Sequence, residues 1–375
     1  MTEFSLDLLR RRPDVEADNL FAVDAADRLL LDTAATALAS CRAGEVVTVG
    51  DSYGALTLGA AAAGPAGIRV HQDALSGELA LAANADQFGL RDAYRSLPLD
   101  VELLAGARVV LLRMPRSLDA LEEIADTIAS SAAPEVAVYA GGMVKHMALA
   151  MNEVLARRFD HVHAGLARQK ARVIVASGSH ASASVQEWPR REFHEDLGLW
   201  VCAHGGAFAG TRIDIGTRFL LGFLERAKPD ATSAVDLGCG TGVLAAALAT
   251  ARPHLRILAT DKSAAAVASA AATARANGVA DRVRVFRDDG LAQQPDASAE
   301  LIVLNPPFHL GAAVHAGGAL RLFEDCARVL APGGELWTVF NSHLGYRPAL
   351  TRIIGPTRQM GRNPKFTVTV STRRP

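Results

Sequence analysis

The chain lacks a cysteine framework. Its four cysteines, Cys41, Cys202, Cys239 and Cys326, are widely scattered. No CxxC pair or Cys/His cluster offers a metal site and no dense spacing offers a disulfide scaffold, so no metal is expected and a reducing cytoplasm fits. Net charge is missing too, since 39 Lys and Arg against 40 Asp and Glu leave −1. That excludes a protein coated with basic residues, and any nucleic-acid contact must come from a local patch. No signal peptide is expected, because Met1-Thr2-Glu3-Phe4-Ser5 leads into Arg10-Arg11-Arg12 and acidic residues without an apolar core. Long apolar runs are also absent. Ala-rich stretches such as Leu58 to Ala66 are short and broken by Gly and Pro, so no membrane span is expected.

What remains is the composition of a folded soluble protein, with 50% hydrophobic and 21% charged residues. At 375 residues the length favours two domains. The second half alternates strands and helices. Strands are expected at Ser233–Leu237, Leu255–Thr260, Val283–Arg287, Glu300–Leu304 and Glu335–Phe340. Helices are expected at Val243–Ala251, Ser263–Asn277 and Leu320–Leu330, the last stopping at Pro332-Gly333-Gly334. Such alternation implies a parallel, doubly wound sheet with right-handed crossovers.

The first half repeats the rhythm weakly. Strand Glu45–Val49 runs into Gly50-Asp51-Ser52-Tyr53-Gly54, strand Gly67–Val70 into His71-Gln72-Asp73, and strand Arg108–Leu112 into Arg113-Met114-Pro115-Arg116. Similarity at this scale suggests duplication of one α/β unit. The expected domains are residues 1–185 and 196–375, with the boundary in the polar stretch 177–195.

Chemistry concentrates in the second half. Asp236-x-Gly238-x-Gly240-x-Gly242 follows a strand and opens a helix, where glycines give the backbone angles and close approach that a cofactor needs. Asp261 ends the next strand, placed to accept from both ribose hydroxyls. Asp288 and Asp289 end the third, and one of them is placed to accept from an adenine amine. The dinucleotide spacing G-x-G-x-x-G fails here, because Val243 holds the third position counted from Gly238. The turn carries no Lys or Arg for a pyrophosphate. An acidic Asp236 suits the amino group of S-adenosylmethionine instead.

Asn305-Pro306-Pro307-Phe308 follows the apolar strand Leu301-Ile302-Val303-Leu304. An exocyclic purine amine is a poor nucleophile, because its lone pair is delocalised into the ring. The Asn305 carboxamide oxygen can accept one amine hydrogen and the Pro306 carbonyl the other. Pro306 and Pro307 stiffen the loop. Phe308 can stack on the base, worth roughly 1–3 kcal/mol. Methyl transfer is then an in-line displacement governed by positioning, and the base edge must be unpaired or flipped to reach it. His309 follows directly, as substrate contact or loop cap.

These residues resemble the bacterial ribosomal RNA guanine-N2 methyltransferases. The likeness rests on Gly206-Ala207-Phe208 with Ile213-Asp214-Ile215-Gly216-Thr217-Arg218, on the turn from Asp236 to Gly242, and on Asn305-Pro306-Pro307-Phe308-His309. Asn341-Ser342-His343-Leu344-Gly345-Tyr346, with Asn363-Pro364-Lys365-Phe366, completes it. The first half matches more loosely, through Ala140-Gly141-Gly142 and Lys170-Ala171-Arg172-Val173-Ile174. The resemblance implies two tandem Rossmann-like methyltransferase domains, the N-terminal one degenerate. It implies S-adenosylmethionine as cofactor, held by Phe208, Asp236, Gly238, Cys239, Gly240, Gly242, Asp261, Asp288 or Asp289, and Asn305. It implies catalysis at Asn305, Pro306, Pro307 and Phe308 on ribosomal RNA or a ribosomal subunit. Two fused similar halves supply the interface that a homodimer would, so a monomer is expected. The large-subunit branch is favoured over the small-subunit branch. Methylation of adenine N6 or a glutamine amide, and a non-catalytic assembly factor, are the alternatives. The first half is expected to serve RNA recognition, with Arg113 and Arg116 as contacts. The C-terminal basic residues Arg352, Arg358, Arg362, Lys365, Arg373 and Arg374 form a second candidate phosphate strip.

Overall fold

The computed structural model describes residues 4–180, 187–306 and 312–375. Two compact units divide the chain, Met1–Trp188 and Pro189–Pro375. The first runs α1 (Ala25–Ala39), β1 (Val46–Val49), α2 (Ala55–Ala62), β2 (Ile68–His71), α3 (Leu75–Phe88), β3 (Tyr94–Ser96), α4 (Val101–Leu104) and β4 (Val109–Arg113). It continues with α5 (Leu118–Ser131), β5 (Ala137–Met143), α6 (Ala150–Ala156), β6 (Phe159–Ala164) and β7 (Ala171–Ser179). Its sheet has the order β3-β2-β1-β4-β5-β7-β6. The pairings among β1 to β5 are parallel, and β7 is antiparallel to both its neighbours.

The second unit opens with the hairpin β8 (Arg190–His194) and β9 (Leu199–Ala203). Then come α7 (Ile215–Leu221), β10 (Ser233–Leu237), α8 (Val243–Ala251), β11 (Arg256–Asp261), α9 (Ala264–Ala276), β12 (Val283–Arg287) and β13 (Ala299–Leu304). It closes with α10 (Ala312–Val329), β14 (Leu330–Asn341), α11 (Arg347–Ile353), β15 (Thr357–Arg362) and β16 (Phe366–Thr372). The order β12-β11-β10-β13-β14-β16-β15 is that of the first sheet, strand for strand. Both units are Rossmann-like, with mostly parallel sheets.

The apolar runs explain the central strands. In β13, Leu301 and Val303 join a core with Trp337 and Val368 on one side, while Ile302 and Leu304 join Phe323 and Phe340 on the other. A strand covered on both faces reads as a continuous hydrophobic run rather than an alternating one. Ala245 and Ala249 of α8 are fully buried, so small side chains let that helix lie close to the sheet. The helix expected at 320–330 is longer, because α10 begins at Ala312. Pro332-Gly333-Gly334 does not end an element. It makes a bulge inside β14, where the register shifts between Ala299/Leu330 and Leu301/Glu335 and Gly333 takes φ +75°. Among the described residues no helix is long and apolar enough to cross a membrane, and no group of His, Cys, Asp and Glu could hold a metal ion.

Candidate active site

The turn after β10 is a cradle with a latch. Gly238, Gly240 and Gly242 have φ of +68°, +53° and +76°. The N–H groups of Gly238 and Cys239 donate to Thr260 O at 2.8 and 2.9 Å. Asp261, at the end of β11, accepts the Gly240 N–H on Oδ2 at 3.0 Å and the Ser263 N–H on Oδ1 at 2.9 Å. One carboxylate thus joins the glycine turn to the start of α9. Among the described residues, a Cβ built on Gly238 or Gly240 would meet nothing within 4 Å, so none of them fills the space over the turn.

Asp236 lies under this turn, 1% exposed, with Oδ2 accepting the Ala245 N–H at 3.0 Å. Burial pushes its carboxyl up to about 7, the Ala245 hydrogen bond opposing and the Asp261 charge adding. Cys239 is buried, and burial raises its thiol, leaving it unreactive. Asp288 is buried and accepts the Gln293 N–H at 3.1 Å. Asp289 is half-buried and pairs with Arg321 of α10 at 3.0 Å. Phe208 is 64% exposed in the loop between β9 and α7. That loop is seated against α9, since a Cβ on Gly206 would stand 3.0 Å from the Ala265 Cβ.

Asn305 follows β13, the strand beside β10, with Leu304 in register with Leu237. Its Nδ2 donates to Asp214 Oδ2 at 3.0 Å and to Thr217 Oγ1 at 2.9 Å. Its Oδ1 is buried and has no hydrogen-bond partner among the described residues. A buried orphan acceptor costs free energy unless a ligand satisfies it. Pro306 is buried. Pro307, Phe308 and His309 lie outside the described residues. The two C-terminal stretches singled out in the sequence meet beside this site. Asn341 pairs with Phe366, and Ser342 N donates to Lys365 O at 2.8 Å. A Cβ on Gly216 would stand 3.2 Å from the Phe366 ring and 3.3 Å from Asn305 Oδ1.

The same places in the first unit are filled. Thr48 takes the position of Asp236 and bonds its hydroxyl to that of Thr57 at 2.8 Å, while the Thr57 N–H, the counterpart of the Ala245 N–H, donates to Asp51 at 2.8 Å. Gln72 stands where Asp261 does, and its Nε2 donates to Asp51 O at 2.6 Å, closing the turn on itself. Tyr53 donates its hydroxyl to Asp14 at 2.7 Å and lies under the Arg11 guanidinium, 4.6 Å away. Arg113 is not the free RNA contact expected from the sequence. It donates to Asp24 Oδ1 at 2.8 Å and to Asp27 Oδ1 at 2.7 Å, with a further bond to Asp24 Oδ2. Its carbonyl and Cβ stand 3.1 and 3.3 Å from a Cβ built on Gly50, so it plugs the space that is open above Gly238. Arg116 is exposed. Of the C-terminal basic residues, Arg352, Arg358, Arg362, Lys365 and Arg374 are exposed, while Arg373 is turned in to Arg328 O at 3.2 Å.

An open glycine cradle, acidic strand ends and an orphan amide oxygen after the fourth strand define a methyltransferase of the small-domain class. Residues 198–370 match the Methyltransferase small domain, and residues 1–180 match the RLMG N-terminal domain. The chain belongs to the family of ribosomal RNA large subunit methyltransferase G. It is 37% identical over 367 residues to the protein of that name from Pseudomonas aeruginosa (strain UCBPP-PA14), covering 97% of this chain and 96% of the relative. It is 37% identical over 374 residues to the one from Streptomyces coelicolor, covering 96% of each. In fold it is similar to a T. thermophilus 16S rRNA N2 methyltransferase solved with AdoMet and guanosine, at TM-score 0.74 and 20% identity over 94% of this chain and 92% of that one.

Proposed function

We propose that this chain methylates the exocyclic N2 amine of a guanine in large-subunit ribosomal RNA, using S-adenosylmethionine. The observation that carries the reading is Asn305 Oδ1, a buried acceptor without a partner among the described residues, beside the glycine cradle. S-adenosylmethionine supplies, when bound, a methyl group on a positively charged sulfur. Asp261 would hold the ribose hydroxyls, and Asp289 or Asp288 the adenine amine. Asp236 would sit below the methionine amino group. Asn305 Oδ1 and the Pro306 carbonyl would take the two amine hydrogens of guanine, turning the nitrogen lone pair toward the methyl group. Pro307 and Phe308 would complete the platform. No general base is needed before transfer, because the nitrogen becomes acidic only as it gains the methyl.

The chain works as a monomer in the cytoplasm on this reading, with the second unit (196–375) catalytic and the first (1–185) serving RNA recognition. Arg116 and the exposed C-terminal arginines supply local positive charge on a near-neutral chain. The test is tritium transfer from S-adenosylmethionine to ribosomal RNA from cells lacking this protein, followed by mapping of the methylated nucleotide. Label on a 23S guanine N2 is the expected result; label on 16S RNA alone overturns the subunit assignment. Asn305→Ala is expected to abolish transfer while S-adenosylmethionine still binds by calorimetry.

A further inference from the structure

Asn305 is held by the start of a helix. Asp214 is the N-cap of α7 and accepts the N–H groups of Gly216 and Thr217 at 2.9 and 3.2 Å on Oδ2, the oxygen that also takes Asn305 Nδ2 at 3.0 Å. Thr217, three residues past the cap, supplies the second acceptor at 2.9 Å. A carboxylate only accepts, so it decides which way the amide faces: nitrogen toward Asp214, oxygen away. The oxygen left over is the buried one, with no partner among the described residues.

The first unit contains the same device on different chemistry. Val49 pairs with Leu112 as Leu237 pairs with Leu304, so Arg113 occupies the position of Asn305. Asp24 is the N-cap of α1, and Asp27 lies three residues past it. These two grip Arg113, at 2.8 Å from Asp24 Oδ1 and 2.7 Å from Asp27 Oδ1. Cap, third residue and strand end recur as one geometric unit. Its presence in both sheets makes it a property of the fold and not of the amide. In one unit it holds a plug, and in the other it presents an acceptor.

We propose that Asp214 and Thr217 are positioning residues for methyl transfer, fixing the rotamer and facing of Asn305 so that Oδ1 is held ready for an amine hydrogen. The proposal rests on the function assigned above. In the transfer step the amine lone pair forms the N–C bond to the methyl carbon, and the C–S pair leaves with sulfur. The nitrogen carries positive charge until one of its protons passes to water. Its N–H bonds become stronger donors as that charge grows, so a bond to Oδ1 strengthens toward the transition state. Donation from Nδ2 to Asp214 and Thr217 polarises the amide and raises electron density on Oδ1. The contribution therefore belongs to kcat more than to KM.

The experiment uses the full chain with Thr217→Val, Thr217→Ser and Asp214→Asn. Asn caps a helix about as well as Asp, so the last substitution spares α7. Single-turnover methyl transfer is expected to slow at least about tenfold in T217V and D214N, with T217S close to wild type. S-adenosylmethionine affinity and melting temperature are expected to stay near wild type in all three. A second readout does not need activity. With asparagine-selective ¹⁵N labelling, the Asn305 side-chain amide protons are expected to exchange slowly in wild type and T217S and fast in T217V. Unchanged transfer rates in T217V and D214N overturn the proposal. So does a loss that tracks weaker cofactor binding or a lower melting temperature, or an unprotected Asn305 amide in wild type. A wild-type protein that methylates no guanine would instead overturn the function assigned above, and the amide exchange would still decide the clamp.

Discussion

Asp236 reaches from β10 to the Ala245 N–H of α8 at 3.0 Å, a carboxyl group almost wholly buried. Burial raises it to about 7 in the folded protein from 3.8. A folded-state value above the unfolded one means that the protonated form is preferred in the fold. The stability linked to it is complete below about pH 4 and is lost as pH rises through about 7, at up to about 1.4 kcal/mol per pH unit. Urea unfolding between pH 5 and 8 is expected to show wild type losing stability relative to Asp236→Asn. If the amino group of S-adenosylmethionine lies beside Asp236, it favours the carboxylate, so cofactor affinity should rise over that same window; a flat profile in wild type would refute the contact.

Asp261 accepts the Gly240 N–H at 3.0 Å and the Ser263 N–H at 2.9 Å, tying the glycine turn to the start of α9. Asp261→Ala frees the Gly240 and Ser263 amides and removes the oxygens proposed for the ribose. Calorimetry is expected to show at least about a tenfold loss of S-adenosylmethionine affinity, from hydrogen bonds to a charged group worth about 1.5–3 kcal/mol. An affinity within twofold of wild type would mean that the carboxylate only shapes the turn.

Arg113→Ala leaves Asp24 and Asp27 without their cation. Asp27 is only 7% exposed, so the cost should resemble that of breaking a buried pair, about 3 kcal/mol. Burial already lifts the Asp27 carboxyl to about 7 against the pull of Arg113, and removing Arg113 is expected to lift it further. The measurement is chemical denaturation of the full chain alongside a cofactor titration. S-adenosylmethionine affinity should stay at the wild-type value if, as proposed, the second unit alone holds the cofactor. RNA affinity measured where the variant is folded should also be unchanged, since this guanidinium is already occupied.

Gly242 and Gly278 separate strain from crowding. Both have positive φ, +76° and +67°, but a Cβ at Gly242 would stand 2.9 Å from the Ala270 Cβ, while one at Gly278 meets nothing within 4 Å. Gly278→Ala is expected to cost about 1–2 kcal/mol from backbone strain alone. Gly242→Ala adds overpacking of about 1–3 kcal/mol and pushes α8 away from α9. Equal losses in urea titrations would show that the α8–α9 contact yields freely.

Much of this architecture is legible from the chain. The bounds of β10, α8 and β12 coincide with the sequence reading, because each is an apolar or Ala-rich run ended by glycine, arginine or a charged pair. The glycine turn and Asn305 are legible for the same reason, being short motifs at strand ends. Long-range pairing is not. The antiparallel strands β7 and β16 return from far along the chain, and their pattern alone does not say which edge they join. The role of Asp214 is hidden in the same way. Its sequence context announces a helix cap, but its partner Asn305 lies 91 residues away. Arg113 was misread for a matching reason: a sequence displays a charge but not the two carboxylates 89 and 86 residues distant that neutralise it.

Gln72 makes loss of the first pocket hard to reverse. Its amide is bonded to the carbonyl of Asp51, so an acid restored there would face an acceptor rather than a donor. Thr48 would have to become acidic at the same time, and Arg113 could not leave without stranding Asp24 and Asp27. Each single step back is expected to lower stability and to recover no binding. A pocket closed in this manner behaves as a ratchet, and the first unit is free to change its surface without ever competing for the ligand of the second.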